Sequence, residues 1–377
     1  MILKNAKIVT KKKVIENGYL VIQNKKITKV CAGTYQGEDQ DVYDMHGNIL
    51  MPGFIDLHIH GSGGYDFMDA NEEQLQTIAN SLYQEGTTSF LATTLTADIK
   101  SLLRVCRTEK KKKKHIPSLL GIHLEGPYIA LKYKGAQNEK FIADPSIEQL
   151  EKMIKASKKN IRYITLAPEK ENALPFIQYA TEHGIVCSAG HTDATFAQVQ
   201  QAIPYGLAST THTHNAMSGH HHRNPGVVTA SFYFDELHTE MILDGIHVNK
   251  DVVKTFYKIV GQDRFMIVTD SLSGKHTNED HFMLGGLDVI KKDGAAYLTT
   301  GPLAGSLLTM DQAVKNLAQF ADIDLIGLAK ASSTNQAKLL KLKDRGMIAR
   351  NKKADLVCLD KDNLTLLSVY KEGQKVK

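Results

Sequence analysis

The chain has 377 residues, 42% of them apolar, and a formal charge of +5. That suits one large domain with a small appendage, and the charge shows no basic stripe of the kind nucleic-acid binders carry. Four scattered cysteines (Cys31, Cys106, Cys187, Cys358) with no CxxC exclude a disulfide framework or zinc finger, and nothing approaches the ~18 consecutive apolar residues of a membrane span.

The opening MILKNAKIV lacks the apolar core of a secretory signal. A cytoplasmic protein with no nucleic-acid or membrane partner is therefore expected. Residues 1–50 read as all-β, with alternating apolar residues and Lys-Asn, Asn-Gly and His-Gly turns. Residues 345–377 read the same way, as two short strands around Asp-Lys-Asp-Asn. Neither piece is long enough for a stable sheet, so the two are expected to form one small β-sandwich.

Residues 51–344 alternate strand and helix patterns. FIDLHIH leads to a helix over Glu72–Glu85 with Asn71 as N-cap, and TSFLATTLT to a helix over Ala97–Glu109. The run Lys110–Lys114, the source of much of the net charge, reads as a solvated helix end or loop. LLGIHLEGP is the next strand. A polar segment from Tyr128 to Asp144 and a helix over Ser146–Lys158 follow. IRYITLAPE, GIVCSAGHT, STTHTHNAM, TEMILDGIHV and FMIVTDS are further strands, most with helical patterns behind them. Seven or eight such units predict an α/β fold, a (β/α)8 TIM-like barrel with parallel strands. Residues 278–300 interrupt the pattern as a β-hairpin insertion.

The polar residues gather at predicted strand ends, where barrel enzymes place their chemistry. His58 and His60, two apart on a strand, face one side. Gly61, Gly63 and Gly64 then let the backbone pass close to whatever they hold. Glu125, His191, His212 and Asp270 each end a later strand. Any one of them alone is more often a helix N-cap or a hydrogen-bonded core residue. Together they form a nitrogen and oxygen ligand set. Glu125, His191 and His212 would hold one cation with a position left for water, as catalytic zinc sites do. His58 and His60 would hold a second, with Glu125 shared. Water at such a site has its pKa lowered toward about 7. Asp270 is then placed to accept its proton and pass it to a leaving group. The chemistry indicated is hydrolysis of a C–N or C–O bond.

The motifs PGFIDLHIHG, HLEGPY, SAGHT, THTHNAM, RNPG, DGIHV, VTDS and GPLAGS, in this order, resemble the amidohydrolase superfamily. Within it they are similar to the N-acetylglucosamine-6-phosphate deacetylase family. The resemblance implies removal of the acetyl group from N-acetylglucosamine 6-phosphate, leaving glucosamine 6-phosphate and acetate, usually by a homodimer. It implies Glu125, His191 and His212 as main metal ligands and His58 and His60 as the pair kept by members with a second metal; some members replace that pair and work with one, so one or two divalent metals per chain are expected. Zinc and iron both accept this set. Asp270 matches the acid/base, and Asn215 and Ala216 match substrate contacts. Arg223 and His247 match residues at the phosphate or nearby hydroxyls, one of them supplied by the dimer partner in some members. Leu303, Ala304 and Gly305 match a loop over the sugar.

Three departures stand out. Gln137, after Gly135 and Ala136, occupies a position where some members have histidine to polarise the acetamide carbonyl; glutamine donates only a neutral hydrogen bond. His214, if on a strand, shares a face with His212 and is a spare ligand, or else a supporting or solvent-facing residue. Gln336 stands where proline is expected. His220, His221 and His222 before Arg223 read as a phosphate-binding loop or as a flexible polar loop. No phosphate-loop or dinucleotide fingerprint occurs, and Glu125 fills the place a carbamylated lysine would take. Two rivals remain: another amidohydrolase, acting on a different N-acetylated sugar phosphate or a cyclic amide, and a non-catalytic sugar-phosphate-binding protein.

Overall fold

Eight parallel strands, each followed by a helix, run from Phe54 to Phe320 in a computed structural model that describes residues 1–112 and 115–377. The strands are β1 (Phe54–Asp56), β2 (Thr87–Thr94), β3 (Leu119–Glu125), β4 (Ile161–Leu166), β5 (Val186–Ala189), β6 (Leu207–Thr210), β7 (His238–Ile242) and β8 (Phe265–Val268). They pair in sequence order. The helices are α1 (Glu72–Tyr83), α2 (Ile99–Lys112), α3 (Ile147–Ser157), α4 (Ala173–Glu182), α5 (Phe196–Ala202), α6 (Val227–Tyr233), α7 (Lys250–Val260) and α8 (Met310–Phe320). β2 and β3 are buried at every residue, as expected of strands packed on both faces. The barrel closes just beyond β1 and β8. The Asp270 N–H donates to the His58 carbonyl at 2.8 Å, and the His60 N–H to the Ser271 carbonyl at 2.9 Å.

Local signals set the helix starts. Asn71 and Gln74 form a capping box at α1, and Ser146 caps α3. α2 begins two residues later than predicted, because Asp98 accepts the N–H groups of Lys100 and Ser101. Of the lysine run, Lys113 and Lys114 and the side chains of Lys110–Lys112 lie outside the described residues. Among the described residues no helix is long and apolar enough to cross a membrane.

Both termini build the small β-sandwich. Seven of its eight strands follow one hydrogen-bonded path, and Val42–Asp44 branches off it. The strand Ile2–Val9 pairs on one edge with Val14–Gln23. On the other it pairs with Val42–Asp44 and then Ile49–Pro52, and the latter pairs with Leu356–Leu359. Leu3, Ile8 and Leu20 from the N-terminal strands share one apolar cluster with Leu356 and Tyr370 from the C-terminal ones.

Two expectations are corrected. The insertion is a three-stranded antiparallel sheet (His281–Leu284, Leu287–Lys292, Ala295–Leu298), not one hairpin. Gly285-Gly286 and Asp293-Gly294 both have positive φ and close two successive tight turns. Gln336 lies inside a short helix, Asn335–Leu339, rather than at a turn. Its Nε2 donates to the carbonyls of Ala331 and Ile267, which braces β8.

Beneath the barrel seam, Asp56 ties the first strand to the last. Thr269 Oγ1 donates to Asp56 Oδ2 at 2.6 Å, and the His58 N–H to Oδ1 at 3.1 Å. Burial raises the Asp56 pKa to about 6, so this hydroxyl donor matters. Thr269→Val keeps the shape and removes the donor. It is expected to lower stability by about 1–3 kcal/mol, read by urea unfolding. An unchanged midpoint would show the bond to be dispensable.

Candidate metal centre and active site

Four imidazoles converge on one carboxylate. Glu125 Oε1 lies 3.1 Å from His58 Nε2 and 3.2 Å from both His191 Nε2 and His212 Nε2. Glu125 Oε2 lies 3.2 Å from His60 Nε2. His58, His60 and Glu125 make one compact ligand group, and Glu125, His191 and His212 a second; no others occur among the described residues. The two groups share Glu125, as the sequence suggested. Asp270 Oδ1 lies 3.2 Å from His60 Nε2 and 3.5 Å from His58 Nε2.

The donor set suits a cation better than protons. Three imidazole nitrogens crowd one oxygen, and the buried His58 Nε2 has no hydrogen-bond partner. The opposite ring nitrogens are held. His191 Nδ1 lies 2.8 Å from the Tyr133 carbonyl and His212 Nδ1 3.1 Å from the Asn215 carbonyl. An N–H there leaves each Nε2 lone pair facing the centre. Imidazole and carboxylate together suit a divalent metal ion.

Electrostatics point the same way. Burial pushes the Glu125 pKa up, but the charges and hydrogen bonds of His58, His191 and His212 outweigh it and hold Glu125 well below the usual range. Burial likewise opposes the ionised form of Asp270, yet His58 and His60 hold it at about 2. His60 is pulled down by burial but raised by Asp270 and Glu125 to about 9. The carboxylates are thus ionised at neutral pH, and a cation can take the place of protons on the imidazoles.

The loops that carry these groups are not regular strand. β1 ends at Asp56 and β6 at Thr210, before the histidines they were expected to carry. His191, His212, Ala216 and Asp270 have φ of 48°, 31°, 49° and 49°. Left-handed backbone at non-glycine residues is costly and clusters at functional sites. His214, with φ of 84°, is turned away by the same irregular segment. Its ring packs edge-on against Phe256 at 5.1 Å. It does not share a face with His212, which corrects the reading of a spare ligand. Burial lowers its pKa to about 4, so it is neutral there.

A cavity of about 340 Å³ opens over the centre. His60, Glu125, His191, His212 and Asp270 line its floor, and Ala136, Gln137, Asn215, Ala216, His247, Leu303 and Gly305 its walls. His58 lies wholly buried beneath it. Ala304 is buried behind Leu303, its N–H on the Ala296 carbonyl. Arg223 is exposed on the loop after His220-His221-His222 and does not line the cavity. A larger groove, about 1270 Å³, lies on the terminal sheet and holds neither ligand group.

Gln137 is committed in a way its sequence does not reveal. Its Nε2 donates to Glu125 Oε2 at 2.6 Å, and its Oε1 accepts the Thr96 N–H at 2.8 Å. Sequence reasoning also missed Asp244, whose Oδ2 lies 2.6 Å from His247 Nδ1. The Asp-x-x-His spacing was the available signal. Lys132 lines the cavity in an ion pair with Asp193. Glu240 on β7 was missed as well. Its Oε2 lies 3.4 Å from His58 Nδ1.

A model of the amidohydrolase family matches residues 49–377. An N-acetylglucosamine-6-phosphate deacetylase of Lysinibacillus sphaericus is 37% identical over 378 residues, covering 99% of this chain and 97% of its own. The crystal structure of an N-acetylglucosamine-6-phosphate deacetylase from Thermotoga maritima matches 100% of this chain and 99% of its own, with a TM-score of 0.91 and 36% identity. A Mycobacterium smegmatis structure has a TM-score of 0.95 and 28% identity, covering 100% of this chain and 99% of its own. It is an aspartate-to-alanine mutant of an N-acetyl-D-glucosamine-6-phosphate deacetylase in complex with N-acetyl-D-glucosamine-6-phosphate.

Proposed function

This chain belongs to the amidohydrolase family, and on that footing we propose that it hydrolyses the acetamide of N-acetyl-D-glucosamine 6-phosphate. The products are D-glucosamine 6-phosphate and acetate. The observation that carries this reading is the shared Glu125 of two ligand groups, with Asp270 against both His58 and His60 on the floor of the cavity. The full-length relatives with this activity support it.

Glu125, His191 and His212 would hold one divalent cation, zinc or iron, and His58 and His60 with Glu125 could hold a second. The cation supplies Lewis-acid polarisation of the acetamide carbonyl and lowers the pKa of water. Asp270, ionised at neutral pH, accepts the proton of the attacking water and delivers it to the departing amine nitrogen. Gln137 keeps one amide hydrogen beyond its bond to Glu125, and we assign that hydrogen to the acetamide oxygen. Asn215 and Ala216 contact the sugar, with Leu303, Ala304 and Gly305 over it. Ala136 lies beside Gln137 on the same wall.

His247 and Arg223 anchor the 6-phosphate. A guanidinium suits a phosphate in bidentate fashion. Because Arg223 lies outside its own chain's cavity, we assign it to the site of a partner copy in a homodimer. A doubly charged sugar phosphate stays inside the cell that makes it, which supports a cytoplasmic enzyme. We divide the chain into a barrel, residues 51–344, and a β-sandwich from 1–50 and 345–377. The pairing of Ile49–Pro52 with Leu356–Leu359 supports those limits to within a few residues.

His247 gives a pH signature. Burial pulls its pKa down, but the Asp244 carboxylate outweighs burial and raises it above the usual histidine value. The imidazolium is complete below the usual histidine pKa and is lost as pH rises through the raised one. KM for the phosphorylated sugar is therefore expected to climb as pH rises past the usual histidine pKa and through the raised one. His247→Gln should flatten the climb. A flat profile in the unaltered protein would remove His247 from phosphate binding.

The deciding experiment measures acetate release from N-acetylglucosamine 6-phosphate beside the unphosphorylated sugar, with metal content on the same sample. Release from the phosphorylated sugar alone supports the reaction and the phosphate anchor together. No release from fully metallated protein moves the substrate to a different N-acetylated sugar phosphate or a cyclic amide.

A further inference from the structure

Glu240 is wholly buried on β7, beneath the ligand groups, and the mechanism above gives it no task. Its Oε2 accepts the His212 N–H at 3.2 Å as well as facing His58 Nδ1. Its backbone carbonyl accepts the Thr213 N–H at 2.7 Å. One residue thus touches a histidine of each ligand group and pins the left-handed turn that carries His212. Among the described residues His58 is its one ion-pair partner, and its Oε1 has no hydrogen-bond partner. A buried carboxylate with no lysine or arginine beside it is unfavourable unless another positive charge balances it.

The other ring nitrogens differ. His191 and His212 face neutral carbonyls through Nδ1, and His60 Nδ1 has no partner. Only His58 faces a carboxylate there. A carboxylate behind an imidazole fixes the N–H on that side and strengthens the opposite nitrogen as a ligand. Charge counting agrees. Glu125, Glu240 and Asp270 put three carboxylates around neutral imidazoles. One divalent cation leaves one negative charge over, so the centre still attracts positive charge at His58 and His60.

We infer that Glu240 is a positioning residue for the second cation: it fixes the His58 tautomer and so makes the His58–His60 pair a working site. This rests on the two-cation reading above and adds the residue that sustains it. Glu240→Gln keeps the shape, and its amide oxygen can still accept the His212 N–H, but it loses the charge behind His58.

The test starts from chelated protein and titrates in cobalt(II), following visible absorption and cobalt per chain. The unaltered protein is expected to take up two equivalents. In Glu240→Gln the first midpoint should stay in place and the second weaken by about 10- to 100-fold, with the second absorption band lost. The kcat for acetate release should fall while KM holds within about threefold. A second midpoint that does not move, or uptake of one equivalent by the unaltered protein, overturns the inference. If Glu240→Gln fails to fold by circular dichroism, Glu240→Asp carries the same test, because it keeps the charge and withdraws it by one methylene. Two-step uptake that depends on Glu240, with no acetate released by the unaltered protein, leaves this inference standing and removes the deacetylase reading.

Discussion

Asp270→Asn is expected to lower kcat by about 10²- to 10⁴-fold while the protein keeps its cations. Asparagine has nearly the same shape but cannot accept the proton that must leave water and reach the amine. Asp270 belongs to neither compact ligand group, so cation content should not change. KM should stay within a few-fold, because His247, Asn215 and the loop at Leu303 are untouched. The backbone bond from Asp270 N–H to the His58 carbonyl does not depend on the side chain, so the barrel seam survives. Acetate release and metal analysis on one sample read both effects. Turnover near that of the unaltered protein would dismiss Asp270 as acid/base, and loss of the cations would make it a ligand instead.

Glu125→Gln strikes at the point both ligand groups share and should cost more. Every histidine of the centre lies within 3.2 Å of a Glu125 oxygen. The amide removes the negative charge and sets its own N–H groups among imidazoles or against the Gln137 donor at Oε2. Both cations should be lost and turnover should fall by at least about 10³-fold. Thermal unfolding gives an independent reading. A cation at 100 times its dissociation constant stabilises a fold by about 2.7 kcal/mol, so chelator should lower Tm in the unaltered protein and leave the variant unmoved. A variant that keeps two cations would disprove the shared-ligand arrangement.

The barrel was legible because its signals are local. Apolar runs at βα spacing, the Asn71 capping box and the Ser146 cap each act within a few residues. The ligand types were legible too, since histidines and acids at predicted strand ends have few other reasons to align. What stayed hidden depends on backbone beyond the strands. β6 stops at Thr210, and the left-handed residues after it keep His212 on the centre and send His214 to Phe256. Period-two reasoning cannot follow that turn. Glu240 reads as an ordinary strand residue until β7 is placed beside His58. Gln137 reads only as a substrate contact until its amide is also seen bridging Thr96 and Glu125. Arg223 sits on an exposed loop outside the chain's own cavity.

The barrel seam has a consequence for how the protein is made. The cleft is stitched shut by bonds between His58 and Asp270 and between His60 and Ser271. On the ribosome the two histidines emerge early, and their partners follow some 200 residues later. At ordinary synthesis rates that delay is about 10–40 s. During it the imidazole pair has neither Glu240 behind it nor Asp270 beside it. Until then Glu125, which follows the pair much sooner in the chain, is the one carboxylate of the centre that can face both rings. The pair gains Glu240 and Asp270 only when the last strands dock, so the centre is completed at the end of folding and not as its first histidines are made.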